Sequence, residues 1–276
     1  TAVLSIRPTT LGFAPTLSLY VKETKYEFLK LLRARTFSLS VIGFPIMFYI
    51  LFGISMNRGV DAGGFSFAKY LLATYSCFGL IGASLFGIGV GLASERAQGW
   101  IEVKQASPMP ALAYLLAKAF TAIAFGLIIV SLLVILGVTA AHVQVTATQV
   151  LKLMGVTVAG AIPFASMGLL LALLVPVTAA PGVVNMIYLP MSFASGLWMP
   201  LSVLPKWVGF IAKGLPTYHL AQLALNIMSS KTMSYTELGP TTTQASMTSH
   251  WVFLAVFTVG MLAISAFVFR RMASRA

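Results

Sequence analysis

Long apolar runs alternate with short polar gaps along this chain, and almost all of its charge sits in the gaps. The runs cover roughly residues 39–56, 70–93, 112–138, 150–175, 183–198 and 251–269. Each is comparable with the ~20 apolar residues that a helix needs to cross a hydrocarbon core. In lipid only helices and closed barrels satisfy their own backbone, and these runs lack the in-out alternation of a barrel strand. The pattern predicts an all-α integral membrane protein, one transmembrane domain over residues 1–276 with six transmembrane helices.

The segments between the runs carry patterns of their own. In residues 16–35, Leu17, Tyr20, Val21, Thr24, Phe28, Leu31 and Leu32 recur at helical spacing, while Lys22, Glu23, Lys25, Lys30 and Arg33 take other faces. That is the pattern of an amphipathic interfacial helix lying along the membrane before the first span. The second run places Gly79, Ala83, Gly87 and Gly91 at intervals of four, with Gly82 and Gly89 nearby, so one face is nearly smooth. Small residues let helices approach closely in lipid, either as fixed packing or as a surface that slides. Pro45, Pro163 and Pro190 fall inside runs and predict kinks, which serve packing and gating equally well.

Three stretches stand out as candidate sites. The gap at 94–110, SERAQGWIEVKQASPMP, sets Glu95, Arg96, Gly99, Trp100 and Glu102 ahead of a turn punctuated by Pro108 and Pro110. An aromatic flanked by both charge signs suits a short helix docking into a partner's groove. In the fifth run Asn185 is followed at roughly helical spacing by Tyr188, Ser192 and Ser195, a polar face that points somewhere other than lipid. Residues 199–228 are too apolar for a solvated loop, and Pro200, Pro205, Gly209, Gly214 and Pro216 break them too often for a span. Short re-entrant helices between spans five and six fit best. Residues 229–249, rich in Ser and Thr, read as a solvated loop.

Composition agrees: 58% of the residues are hydrophobic and 9% charged, against about a quarter charged in soluble domains. A net charge of +12 would suggest nucleic acid in a soluble protein, but here Lys and Arg cluster at span ends, which points to membrane lipid. Counting Lys118 near the start of the third run, twelve of the 18 Lys and Arg fall on the side that is inside if the N-terminus is cytoplasmic, so both termini are expected there, with Arg270, Arg271 and Arg275 as a stop-transfer anchor. The first fifteen residues lack the compact apolar core and cleavage site of a signal peptide. Cys77, the single cysteine, sits in the second run and is expected to pack there.

Several chemistries are excluded. No G-x-x-x-x-G-K-[ST] phosphate loop occurs, so any ATP chemistry must come from another chain. His142, His219 and His250 are dispersed without neighbouring carboxylates, which signals neither a zinc site nor a haem-ligand pair and reads as surface or interface residues. Asp61 and the five Glu lie outside the six runs, which removes support for a proton-coupled carrier or a membrane-embedded enzyme.

Taken in order, the lead-in helix, the E-R-x-x-G-W-x-E gap running from Glu95 to Pro108, and the exterior element from Met199-Pro200 to Pro216-Thr217-Tyr218 resemble the type-2 ABC exporter permeases, related in fold to the ABCG half-transporters. The resemblance covers about residues 17–271; Asn, frequent in the family before the Pro of the last element, is replaced here by Leu215. It implies a permease in a bacterial cytoplasmic (inner) membrane that pairs with a second permease, identical or related, and with two copies of a nucleotide-binding ATPase holding ATP and Mg. Glu95, Arg96, Gly99, Trp100 and Glu102 would couple to that ATPase. Spans two and five, with Tyr75, Phe78, Asn185, Tyr188, Ser192 and Ser195, would line the path of an amphipathic, lipid-like or drug-like substrate, and Pro200, Pro205, Trp207, Pro216 and Tyr218 would gate its exit. A permease-like subunit of a membrane assembly complex, such as that of cytochrome c maturation, is the alternative. No catalytic, metal or cofactor site is expected on this chain.

Overall fold

The computed structural model describes residues 13–55, 61–62, 65–100, 103, 111–229 and 244–274. Their regular structure is helical apart from a ribbon of two two-residue strands, β1 (Asp61–Ala62) antiparallel to β2 (Phe65–Ser66). Helix α1 (Phe13–Arg33) leads to α2 (Arg35–Phe48), which continues as a π-helical stretch, Tyr49–Ser55. After the ribbon, α3 (Phe67–Ser84), a second π-helical stretch (Leu85–Val90) and α4 (Gly91–Ala97) run as one helical segment. The chain continues through α5 (Ala111–Thr139), α6 (Ala147–Leu174) and α7 (Ala180–Ala194), the short helices Leu201–Val203, α8 (Lys206–Ala212) and α9 (Pro216–Met228), and ends in α10 (Gln244–Ala273).

Among the described residues, five segments are long and apolar enough to cross a membrane: Arg35–Ser55, Phe67–Ala97, Ala113–Thr139, Ala147–Leu174 and Met247–Met272. The fifth apolar run is shorter than its sequence suggests. Its helix stops at Ala194, because Gly196 takes a left-handed φ of +77° and closes the end: Leu197 N–H donates to Ser192 O at 3.1 Å and Gly196 N–H to Phe193 O at 3.2 Å. The hydroxyl of Tyr70 on α3 donates to the Gly196 carbonyl and ties this turn to the core. At its other end, Val175 is extended ahead of Pro176, as residues before proline are, and α6 stops there.

Other boundaries follow from local chemistry. The Thr146 hydroxyl accepts from Gln149 N–H while the Gln149 side chain accepts from Thr146 N–H, a reciprocal cap that starts α6. Ala34, with ψ of 86°, separates α1 from α2, and the Ser38 hydroxyl donates to the Leu31 and Leu32 carbonyls that α1 leaves unpaired.

Helix α3 is the hub, buried along nearly its whole length among α2, α5, α6 and α9. Its smooth face is used for packing within the chain. A Cβ on Gly79 would meet Ile129 of α5 at 2.7 Å, and one on Gly168 of α6 would meet the backbone nitrogen of Gly89 at 3.2 Å. Phe28 of α1 packs on Phe125 of α5 with centroids 5.4 Å apart, so part of the apolar face of α1 is spent on the bundle. By contrast α10 exposes Val252, Val256, Val259 and Phe267, a surface suited to lipid.

Candidate functional site

A cavity of about 790 Å³ opens between α2, the α3 segment and α7. Its wall carries Phe37, Ser40 and Phe44 from α2, Phe78, Gly82 and Phe86 from the α3 segment, and Asn185 and Tyr188 from α7, with no charged residue among the described ones. Phe78 stacks on Tyr188 at 4.8 Å between centroids, and Phe86 meets Tyr188 edge-on at 6.0 Å. The Tyr188 hydroxyl donates to the Phe78 carbonyl at 2.8 Å, which satisfies a polar tip that is otherwise buried. Asn185 keeps its amide at the exposed part of the wall.

Of the six residues expected on a path, Phe78, Asn185 and Tyr188 meet at this cavity. Tyr75 is buried in the core beside Phe78. Ser192 and Ser195 are also buried and lie outside the cavity wall, and Ser195 bonds to Met191 O and to the Thr217 hydroxyl of α9. The contribution of α2 was missed by sequence reasoning, although Thr36, Ser40 and Phe44 at intervals of four form a stripe that marks a face in an otherwise apolar run.

At the far end of the α3 segment the chain turns sharply. Gly99 adopts φ of +74°, a conformation costly for any residue with a Cβ, and Gly99 N–H donates to Arg96 O at 3.2 Å. Beyond it Trp100 and Val103 are both more than half exposed. Glu102 and residues 104–110 lie outside the described residues. Arg96 is turned inward: it donates to the carbonyls of Leu173 at 2.8 Å and Val175 at 3.1 Å, a cation capping the C-terminus of α6.

Glu95 is buried as well, in a cluster that joins three helices. Lys118 of α5, 2% exposed, sits 2.7 Å from Glu27 of α1 and 3.1 Å from Glu95. Lys30 bonds to both carboxylates, at 3.2 Å to Glu27, and the Tyr114 hydroxyl donates to Glu95. Two carboxylates and two ammonium groups thus balance. Burial pushes the Glu27 carboxyl up, but Lys118 and then Lys30 more than offset this and hold it below the ordinary value of 4.5. From the sequence Glu95 reads as a docking residue with no sign of this partner set, because Lys30 and Lys118 stand 65 and 23 residues away in the chain.

The exterior element separates similarly. Trp207 is exposed with Phe210 on α8 and Pro205 is exposed just before it, whereas Pro200, Pro216 and Tyr218 are buried. His219 and His250 are neither dispersed nor at the surface. Helices α9 and α10 bring them together with Nδ1 atoms 2.7 Å apart, both buried. Among the described residues no three His, Cys, Asp or Glu side chains cluster as a metal site.

The sequence pattern of the ABC-2 type transporter family matches residues 21–229, about three quarters of the chain. The chain belongs to the ABC-2 type transporter permease family. It is also similar to YvfS of Bacillus subtilis (strain 168), a protein named as a transport permease, with 27% identity over 207 residues that cover 75% of this chain and 84% of the relative. Membership makes this permease a multi-pass transmembrane subunit of an ABC transporter that partners with an ATP-binding subunit. Within the matched region lie the cavity, the Glu95 cluster and the Trp100 turn.

Proposed function

We propose that this permease is the membrane half of an ABC exporter and that its charge-free cavity carries an uncharged amphipathic, lipid-like or drug-like substrate outward. One observation carries the reading: the helical segment Phe67–Ala97 bears the cavity residues Phe78, Gly82 and Phe86 and ends at the turn that presents Trp100. From Phe78 to Ala97 the helical segment covers about 28 Å at helical rise, so a displacement at the turn beyond it is delivered along one continuous helical segment to the cavity wall.

Trp100 and Val103 form the contact with the ATPase, while Glu95 and Arg96 anchor the turn to α1, α5 and α6. ATP and Mg belong to the partner, present in two copies, and a second permease, identical or related, closes the open side of the cavity. In this reading α7 is the fifth of six spans. Its 15 residues cover about 22 Å, short of a ~30 Å hydrocarbon core, and α8 and α9 fill the remaining depth as re-entrant helices that cap the exit with Trp207 outermost. Both termini face the cytoplasm of a bacterial cell, consistent with the basic residues of α1 and the end of α10.

The test is partner dependence. The chain alone in lipid nanodiscs hydrolyses no ATP, and hydrolysis appears on adding the ATP-binding subunit. Trp100→Ala removes an aromatic anchor worth ~2 kcal/mol, or about 30-fold in affinity for that subunit, with membrane insertion intact. Unchanged affinity and unchanged substrate-stimulated hydrolysis in the variant would refute the coupling role.

A further inference from the structure

The transport reading makes no use of the two buried histidines, although their geometry assigns every ring proton. Nε2 of His219 lies 3.0 Å from the Lys213 carbonyl, which can only accept, so Nε2 carries the hydrogen. In a neutral ring Nδ1 of His219 is then bare and accepts from Nδ1–H of His250 across 2.7 Å. This leaves Nε2 of His250 without a hydrogen, buried, and without a partner among the described residues. Phe253 stacks on His219 at 3.8 Å, and Tyr218 meets both imidazoles edge-on.

We propose that the His219–His250 pair is a proton-sensitive latch, which joins α9 to the start of the last span while both imidazoles are neutral and releases it on acidification. A further proton has one open seat, Nε2 of His250. There it makes a buried donor with no acceptor, on a cation with no counter-charge, among the described residues. A proton on Nδ1 of His219 would instead set two N–H groups against each other and break the bond.

The surrounding elements offer no compensation. Helices α6, α8, α9 and α10 carry no carboxylate among the described residues, and neither does α7. The charged side chains they and α3 bring are Lys152, Lys206, Arg270 and Arg271, and Lys69 with Glu95 and Arg96 beyond it at the far end of the same segment; Lys213 follows α8. Glu95 is engaged in its own cluster, and Tyr218, whose phenol burial holds above its ordinary value, stays uncharged. Burial likewise lowers the affinity of His219 for a proton, partly offset by its bond to Lys213. Glu237 lies outside the described residues.

The latch concerns α9 and α10 alone and does not depend on the transport reading. Each histidine that is neutral in the joined state and free to titrate in the separated one, near its ordinary pKa of about 6.5, weakens the contact about tenfold between pH 7.5 and 5.5.

The experiment uses the full chain in nanodiscs with Cys77→Ala, spin labels on cysteines at Lys213 and Thr248, both exposed, and pulsed distance measurement across that range. One short distance is expected at pH 7.5, and a longer population that grows at least tenfold relative to it by pH 5.5. The pair His219→Gln/His250→Gln should abolish the response. Ring ¹⁵N spectra of ¹⁵N-enriched chain without spin labels, carrying His142→Asn, give an independent readout: one Nε2–H and one Nδ1–H tautomer at pH 7.5, lost together on acidification. A distance distribution that does not respond to pH, the same response in the double glutamine variant, or a charged histidine at pH 7.5 would overturn the proposal.

Discussion

Replacing Lys118 by Met keeps the length of the side chain and removes the charge at the centre of the ion cluster. Glu27 and Glu95 then share only Lys30, whose side chain is 52% exposed, while their own side chains are 5% and 9% exposed. Removing one partner of a buried ion pair costs about 3–5 kcal/mol, because it leaves uncompensated charge where solvent cannot screen it. At 1.4 kcal/mol per factor of ten, the equilibrium for α1 lifting off α5 rises roughly a hundred- to several-thousand-fold. Lys30→Met removes a cation of equal charge from a solvated position, and solvent screening limits its cost to ~0–1 kcal/mol. Adding Glu27→Gln to Lys118→Met restores charge balance between Lys30 and Glu95 and recovers part of the loss. Limited trypsin cleavage at Lys22 and Lys25 of α1, in nanodiscs, reads the opening directly. Cleavage of Lys118→Met at the wild-type rate, or a larger effect from Lys30→Met, would refute the reasoning.

Two further outcomes follow from the same geometry. A Cβ on Gly82 would stand 3.0 Å from the Tyr188 hydroxyl, so Gly82→Ala displaces the bond to Phe78 O and lowers the stability of the chain by about 1–3 kcal/mol, measured as earlier thermal unfolding that Tyr188→Phe largely removes. Because the Glu27 carboxyl is held below 4.5, its contribution is complete above that value and is lost as pH falls through its depressed value, so docking of α1 is flat from pH 8 to 5 and weakens only in stronger acid, as pepsin cleavage can show; loss between pH 7 and 5 would contradict it.

Helical class, the long apolar segments and the special character of residues 94–100 were legible in the sequence because they rest on local pattern: hydropathy over ~20 residues, and a Gly-Trp pair after a charged helix end. The early end of α7 was legible in principle, since Ser195-Gly196 is a helix stop, but the apolar residues beyond it extended the run to 198. The rest depends on long-range packing. Nothing within a window around Glu95 announces Glu27 or Lys118, and nothing around His219 announces His250. On α7 the helical period puts Asn185, Tyr188, Ser192 and Ser195 on one face, yet the cavity takes only the first two, because Ser195 bonds to Thr217 of α9 and Ser192 is fully buried.

The central claim, that the cavity is a path driven by the partner's ATP cycle, is tested most directly at Asn185. A cysteine at that position, in a chain with Cys77→Ala and bound to its ATP-binding subunit in nanodiscs, should react with a water-soluble maleimide at a rate that differs between the nucleotide-free and ATP-trapped states, and should form a cross-link between two permeases in one of them. Equal rates in every nucleotide state with no cross-link would contradict the account.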